Sequence, residues 1–222
     1  MPATGVTNKV MIVIVDYGMG NLRSVEKALT KLGHICSVTR DKNAIKSAYG
    51  IILPGVGAFD PAISELRASN LEGAIIEEIG KGKPFLGICL GLQLLFNESE
   101  EGSLKGFGIL PGRVKKFSFK PPLSSRLKVP QMGWNSINIK KQLPYYEGVE
   151  NGSMMYFVHS YYAAPQDESI LATTTEYGVD FCSSIVKDNI FGVQFHIEKS
   201  GDIGLKVLDN FAKTCKKKDH GT

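Results

Sequence analysis

The chain has 222 residues, with 26 Lys+Arg against 22 Asp+Glu and a formal net charge of +4, long enough to bury a sizeable core as one α/β domain. Lys216-Lys217-Lys218 supply much of the basic excess; no basic stripe with interleaved aromatics occurs, so nucleic-acid binding is not expected. The apolar runs, such as Val10–Val15, fall far short of the ~18 residues of a membrane span, Met1–Lys9 is polar and too short for a signal peptide, and Cys36, Cys89, Cys182 and Cys215 lack C-x-x-C spacing, which fits a reducing cytoplasm and neither a disulfide framework nor a metal site.

After a flexible extension (1–9), Val10–Asp16 reads as a strand, followed by a helix over about Asn21–Leu32 that ends at Gly33, and a strand at Ile35–Thr39. Gly50–Leu53 is a further strand, running into Pro54-Gly55-Val56-Gly57. Helical spacing returns around Pro61–Ala68 and Leu71–Ile79. Pro84–Ile88 then reads as a buried strand, and Leu90–Phe96 again carries apolar residues at helical spacing. Such alternation implies a mostly parallel sheet with helices on both faces. The second half differs: Gly106–Lys116, Lys128–Lys140, Met154–Ala163, Ile170–Thr175 and Phe181–Val193 suggest antiparallel or mixed strands. Lys120–Ser125 reads as a loop-like insertion, and an amphipathic helix over about Ile203–Lys216 leads into a polar tail (216–222). With no repeat or linker, residues 1–222 are expected to form a single domain.

Gly87-Ile88-Cys89-Leu90-Gly91 joins a strand to a helical pattern in the manner of a nucleophile elbow, with the two glycines leaving room for a sharp turn. Amides of a following helix aimed at the sulfur favour thiolate. The same five residues also suit a small buried thiol in a tight turn. Gly18-Met19-Gly20-Asn21 follows a strand and opens a helix, but a dinucleotide fingerprint would need glycine where Arg23 stands; a turn with Asn21 near the helix N-cap fits better. Of four histidines, His34 and His220 read as solvent-exposed. His196 ends the apolar run 190–195, and Glu198, two residues on, shares its face if the chain is extended. Cys89, His196 and Glu198 thus supply nucleophile, base and orienter. The Leu90 amide and those of Pro54–Gly57 are candidate oxyanion donors.

Together these residues resemble the triad (class I) glutamine amidotransferases. Asp16–Leu22, Leu53–Phe59, Gly87–Gln93, Met132–Asn135, Phe157–Tyr161 and His196–Ser200 are similar, within that superfamily, to the glutaminase subunits of imidazole glycerol phosphate synthases. The resemblance implies a flavodoxin-like α/β fold without a cofactor. It implies hydrolysis of L-glutamine to glutamate through a Cys89 thioester, the ammonia passing by a channel to a (β/α)8-barrel cyclase subunit in histidine biosynthesis. By the same resemblance Gln93, Glu101, Ser160 and Tyr161 hold glutamine, and Val56 and Gly57 complete the oxyanion hole after a peptide flip on partner binding. Asn21, Trp134, Tyr156, His159 and Lys199 are the docking residues it implies; by the local sequence alone, Trp134 suits either a core position or an interface anchor. Two positions depart from the family pattern. Ile197 stands where proline is usual between the triad His and Glu, and Gln131 stands where His commonly precedes Met-Gly-Trp-Asn, on the expected partner face. They leave open a paralogous pair aminating a surface-polysaccharide sugar. A glutaminase of vitamin B6 synthesis gives Met132–Asn135 no role, and a non-catalytic regulatory subunit would not need the complete triad.

Overall fold

The structure of the protein, a computed structural model, describes residues 11–215. The expected extension over 1–9, the polar tail and His220 lie outside the described residues. In chain order the elements are β1 (Met11–Val15), α1 (Leu22–Lys31), β2 (Ile35–Thr39), α2 (Lys42–Ser47), β3 (Gly50–Gly55), α3 (Phe59–Ala68), α4 (Leu71–Gly80), β4 (Phe85–Cys89), α5 (Leu90–Gln93) and β5 (Phe96–Ser99). There follow β6 (Leu110–Lys116), β7 (Gln131–Ser136), β8 (Asn138–Ile139), β9 (Met154–His159), β10 (Tyr161–Pro165), β11 (Leu171–Glu176), β12 (Asp180–Lys187), β13 (Ile190–Val193) and α6 (Gly201–Thr214).

Eight strands form one sheet in the order β2-β1-β3-β4-β13-β12-β11-β8. The first five run parallel and the last three antiparallel. β3, β4 and β13 are buried along their whole length, as expected of parallel strands covered on both faces. Alternate residues feed two cores: Ile12, Ile14 and Ile52 belong to one, Val13, Val15 and Ile51 to the other. Helix α1 turns Val25, Ala28 and Leu29 inward at helical spacing. Two smaller sheets, β10-β6-β5 and β7-β9, complete the fold. Among the described residues no helix is long and apolar enough to cross a membrane.

Register decides where the chemistry sits. Gly55 pairs with Cys89, and Val193 with Ile88, so the carboxyl ends of β3, β4 and β13 lie side by side. The Pro54–Gly57 segment, Cys89 and the Gln194–Glu198 segment therefore emerge at one edge, where open α/β sheets place ligands.

Several expected elements take a different form. Leu90–Phe96 is not a helix throughout: α5 is a single turn, and Phe96 begins β5. Leu94, Leu95 and Phe96 are all fully buried, so apolar spacing there reflects burial on every side. The carbonyls of Leu94 and Leu95 accept N–H groups from Phe107, Ile109 and Leu110 instead of continuing a helix. Phe181–Val193 is a hairpin, β12 and β13, turning at Asp188 with φ +52°. Met154–Ala163 breaks at Ser160, its halves pairing in different sheets. The region from Gly106 becomes strand at Leu110. Helix α2 has no counterpart in the sequence reading; it is short, and the Asp41 side chain caps it by accepting from Asn43 N–H. His34 is only partly exposed: its Nε2 lies 2.7 Å from Asp209 on α6.

Candidate active site

Cys89 has φ 55° and ψ −107°, a left-handed conformation that is strained for any residue with a side chain. The flanking glycines are steric necessities. A Cβ on Gly87 would lie 2.5 Å from the Gly91 carbonyl oxygen, and one on Gly91 would overlap the Leu53 carbonyl of β3. The turn lifts Cys89 to the floor of a cavity of about 240 Å³. Because α5 is one turn long, its amides are local donors at the elbow and not the end of a long helix dipole.

His196 and Glu198 are nearly sealed, with side chains 2% and 1% exposed. Their juxtaposition comes from a turn rather than the extended chain expected: His196 is extended, at φ −81° and ψ 95°, and Ile197–Lys199 form a 3-10 turn. This brings His196 Nδ1 within 2.9 Å of Glu198 Oε1. A carboxylate accepts, so Nδ1 carries a proton and Nε2 is the nitrogen the carboxylate leaves free. Nε2 has no hydrogen-bond partner, and His196 lines the cavity beside Cys89. Burial alone would depress the imidazole pKa. The Cys89 sulfur and Glu198 carboxylate outweigh it and raise the pKa to about 10, which favours imidazolium in the resting site. Burial pushes the Glu198 carboxyl up, but His196 and Asn21 hold it below its ordinary value.

The candidate oxyanion segment borders the same cavity. Gly57 has φ +95°, a region glycine occupies without strain, and Val56 and Gly57 face the cavity together with Leu90. Gln93, Glu101, Ser160 and Tyr161 line the same cavity. The Glu101 carboxylate accepts from Phe59 N–H at 2.9 Å, while burial raises its pKa above the usual carboxylate value.

The model of the family "Glutamine amidotransferase class-I" matches residues 13–215. The chain belongs to the class-I glutamine amidotransferases. The chain is similar to the imidazole glycerol phosphate synthase subunit HisH of Syntrophotalea carbinolica, at 49% identity over 90% of this chain and 98% of the relative. It is also similar to the subunit of the same name from Moorella thermoacetica, at 50% identity over 91% and 94%. Among solved structures, that of PurLQS from Thermotoga maritima shares the fold with a TM-score of 0.69 at 22% identity, covering 94% of this chain and 100% of that one.

In this amidotransferase two site neighbours escape sequence reasoning. Asn21 Nδ2 donates to Glu198 Oε1 at 3.1 Å. Although Asn21 is the N-cap residue of α1, its side chain makes no cap hydrogen bond. Gln194, fully buried, donates through Nε2 to Cys89 Sγ at 3.5 Å. The sequence marks Asn21 for the helix N-cap and for docking but not for this contact, whereas Gln194 stands two residues before His196, and the same period-two reasoning that picked out Glu198 reaches it.

The expected docking residues divide. Trp134 is 53% exposed on β7, its ring 6.0 Å from that of Tyr156 on β9, and Lys199 is exposed in the 3-10 turn after His196. His159 is not on a surface: it is buried, and its Nδ1 donates to the Tyr161 carbonyl at 2.8 Å. Burial lowers its pKa to about 4, so the ring is neutral and Nε2 must accept. The Gln131 side-chain amide lies 3.0 Å from Nε2, and the amide's nitrogen end is the one that satisfies it. Gln131, 3% exposed, is therefore also absent from the outer face. The pleat of β7 turns Met132 and Trp134 outward and Gln131 inward.

Proposed function

We propose that this chain is the glutaminase subunit of an imidazole glycerol phosphate synthase, supplying ammonia to a (β/α)8-barrel cyclase in the histidine pathway of the cytoplasm. The carrying observation is the His196–Glu198 pair, 2.9 Å apart, with Nε2 left unpartnered and His196 and Cys89 lining one cavity. The Cys89 thiolate attacks the carboxamide carbon of glutamine. Negative charge develops on its oxygen, met by amides of Leu90 and of the Val56–Gly57 segment. Imidazolium at His196 protonates the departing nitrogen, ammonia leaves, and a thioester remains. His196 then takes a proton from water, whose oxygen attacks the thioester; glutamate leaves and the sulfur is restored. Glu101 suits the α-amino end of glutamine, the backbone near Ser160 and Tyr161 its carboxylate, and Gln93 its side chain.

The partner reading is supported by an outward apolar face on β7 and β9: Met132, Trp134 and Met154 are 66%, 53% and 47% exposed. Exposed patches of this kind mark association surfaces. Trp134, Tyr156, Lys199 and Asn21 are the residues we assign to docking. The amidotransferases named above as HisH subunits carry the synthase assignment, which extends to this chain by similarity. Replacing Cys89 by Ala should abolish glutamine hydrolysis while leaving melting temperature and partner binding unchanged. Ala at Cys36, Cys182 or Cys215 should cause no comparable loss of activity. Residual hydrolysis within about tenfold of wild type in Cys89→Ala, against the loss of over a thousandfold expected for a nucleophile, would defeat the reading.

A further inference from the structure

Behind the nucleophile lies a chain of buried amides that the triad does not use. Tyr161 contributes a backbone carbonyl, which can only accept. It receives Gln93 Nε2–H at 2.9 Å and His159 Nδ1–H at 2.8 Å. With its nitrogen so fixed, Gln93 directs its other N–H to Gln194 Oε1 at 3.0 Å. Gln194 then has one orientation open to it: oxygen toward Gln93, nitrogen toward Cys89 Sγ, 3.5 Å away. Reversing it would set two amide nitrogens against each other. Gln194 is fully buried and does not line the cavity, so it reaches the sulfur from the core and leaves the cavity side to glutamine and His196. Its own backbone N–H is anchored on the Ser183 carbonyl at 2.8 Å.

We propose that Gln194 is a further catalytic residue, whose side-chain amide donates a hydrogen bond to the Cys89 sulfur from the core, with Gln93 as its positioning residue. A fixed donor that reaches the sulfur from the buried core stabilises developing negative charge and needs no reorganisation when the charge appears. The interaction is made to the thiolate and is relaxed in the thioester, so it acts on the nucleophile before attack and again when sulfur leaves. This assignment rests on Cys89 being the nucleophile. It extends the roster of the site by a residue that touches the reacting atom.

Gln194→Met keeps the length and volume of the side chain and removes the donor. In the complete chain, with its barrel partner present, turnover should fall roughly tenfold to a hundredfold while KM for glutamine stays within about twofold, as expected for a lost hydrogen bond to a charged group. Alkylation of Cys89 by iodoacetamide, followed by mass spectrometry of the Cys89 peptide, should shift its pH midpoint up by about one unit. The other titratable groups facing the sulfur, His196 and Tyr17, are unchanged in this variant. Should Gln194→Met fail to fold, Gln93→Met, which frees the Gln194 amide, should move the alkylation midpoint the same way; this readout needs no glutamine. Unchanged turnover and an unchanged alkylation profile in a folded Gln194→Met would overturn the proposal. Loss of activity in proportion to lost folded protein, with the profile unmoved, would overturn it too. If Cys89→Ala stays active, the glutaminase reading fails instead, whatever Gln194 does.

Discussion

Asn21 and Glu198, 177 positions apart, are joined by a hydrogen bond of 3.1 Å from Nδ2 to Oε1. Asn21 is itself steadied by Ser24, whose hydroxyl donates to Oδ1 at 2.8 Å. The loop leading into α1 therefore holds the carboxylate that holds His196.

That contact predicts a graded set of losses. Glu198→Gln should lower turnover less than His196→Ala, because orientation and charge are weakened while the base survives. Asn21→Ala should cost about tenfold, the low end for a hydrogen bond to a charged group, because it acts on His196 only through Glu198. Combined with Glu198→Gln it should cost little more, since both act through one contact. Steady-state kinetics of the three single variants and the double variant check this; full additivity of Asn21→Ala and Glu198→Gln would separate the two residues.

Ile197→Pro should be tolerated by the backbone and felt by the core. His196 has extended geometry, which suits a residue before proline, and position 197 opens a 3-10 turn, where proline fits. The Ile197 side chain, however, is fully buried in the core. Turnover should be unchanged or improved, with stability lower by about 1–2 kcal/mol, read by denaturant titration. Complete inactivation would show that the turn does not accept proline.

Trp134→Ala should separate binding from folding. The ring is 53% exposed and its aromatic neighbour is Tyr156, edge-on at 74°. The monomer should lose about 1 kcal/mol or less, while a Trp hot spot is worth ~2–4 kcal/mol to an interface. Affinity for the proposed barrel partner should fall by about thirtyfold or more, measured by calorimetry, with stimulated glutaminase activity falling alongside. A monomer destabilised by several kcal/mol, with affinity per folded molecule intact, would place the ring in the core.

His159 predicts acid sensitivity with a defined sign. Its pKa is lowered from 6.5 to about 4 by burial, so between those values the unfolded chain binds a proton that the folded chain refuses. Stability should therefore fall as pH drops through this window, by an amount on the order of 3 kcal/mol. His159→Asn should flatten that part of the pH dependence in urea titrations at pH 7, 5.5 and 4.5. His196 acts in the opposite sense. Its pKa, raised to about 10, contributes stability that is full below about 6.5 and fades as pH rises towards 10. A wild-type curve flat from pH 7 to 4.5 would contradict the neutral, buried assignment of His159.

The alternation of apolar strands and amphipathic helices in the first half was legible in the sequence because burial on both faces, or on one stripe, leaves a period in the residues themselves. The elbow glycines were legible for a similar reason: a steric demand within five residues writes itself into those residues. So was the His196–Glu198 pair, which needs only two positions of chain. Periodicity failed at Leu90–Phe96, where every side is buried and the apolar pattern carries no direction. It could not tell the hairpin at Asp188 from one long strand.

What the tertiary structure decided were the contacts between distant segments. The β3–β4–β13 register brings Pro54–Gly57, Cys89 and His196 to one edge. The placement of α1 sets Asn21 on Glu198, and the buried amides of Gln93 and Gln194 meet behind the sulfur. The pairing of β7 with β9 turns Gln131 and His159 inward and leaves Trp134 outside. Partners separated by a hundred residues leave no local period, because the sequence records each side chain's own conformational and burial preferences. Which buried donor meets which acceptor is settled when the strands pair and the core closes.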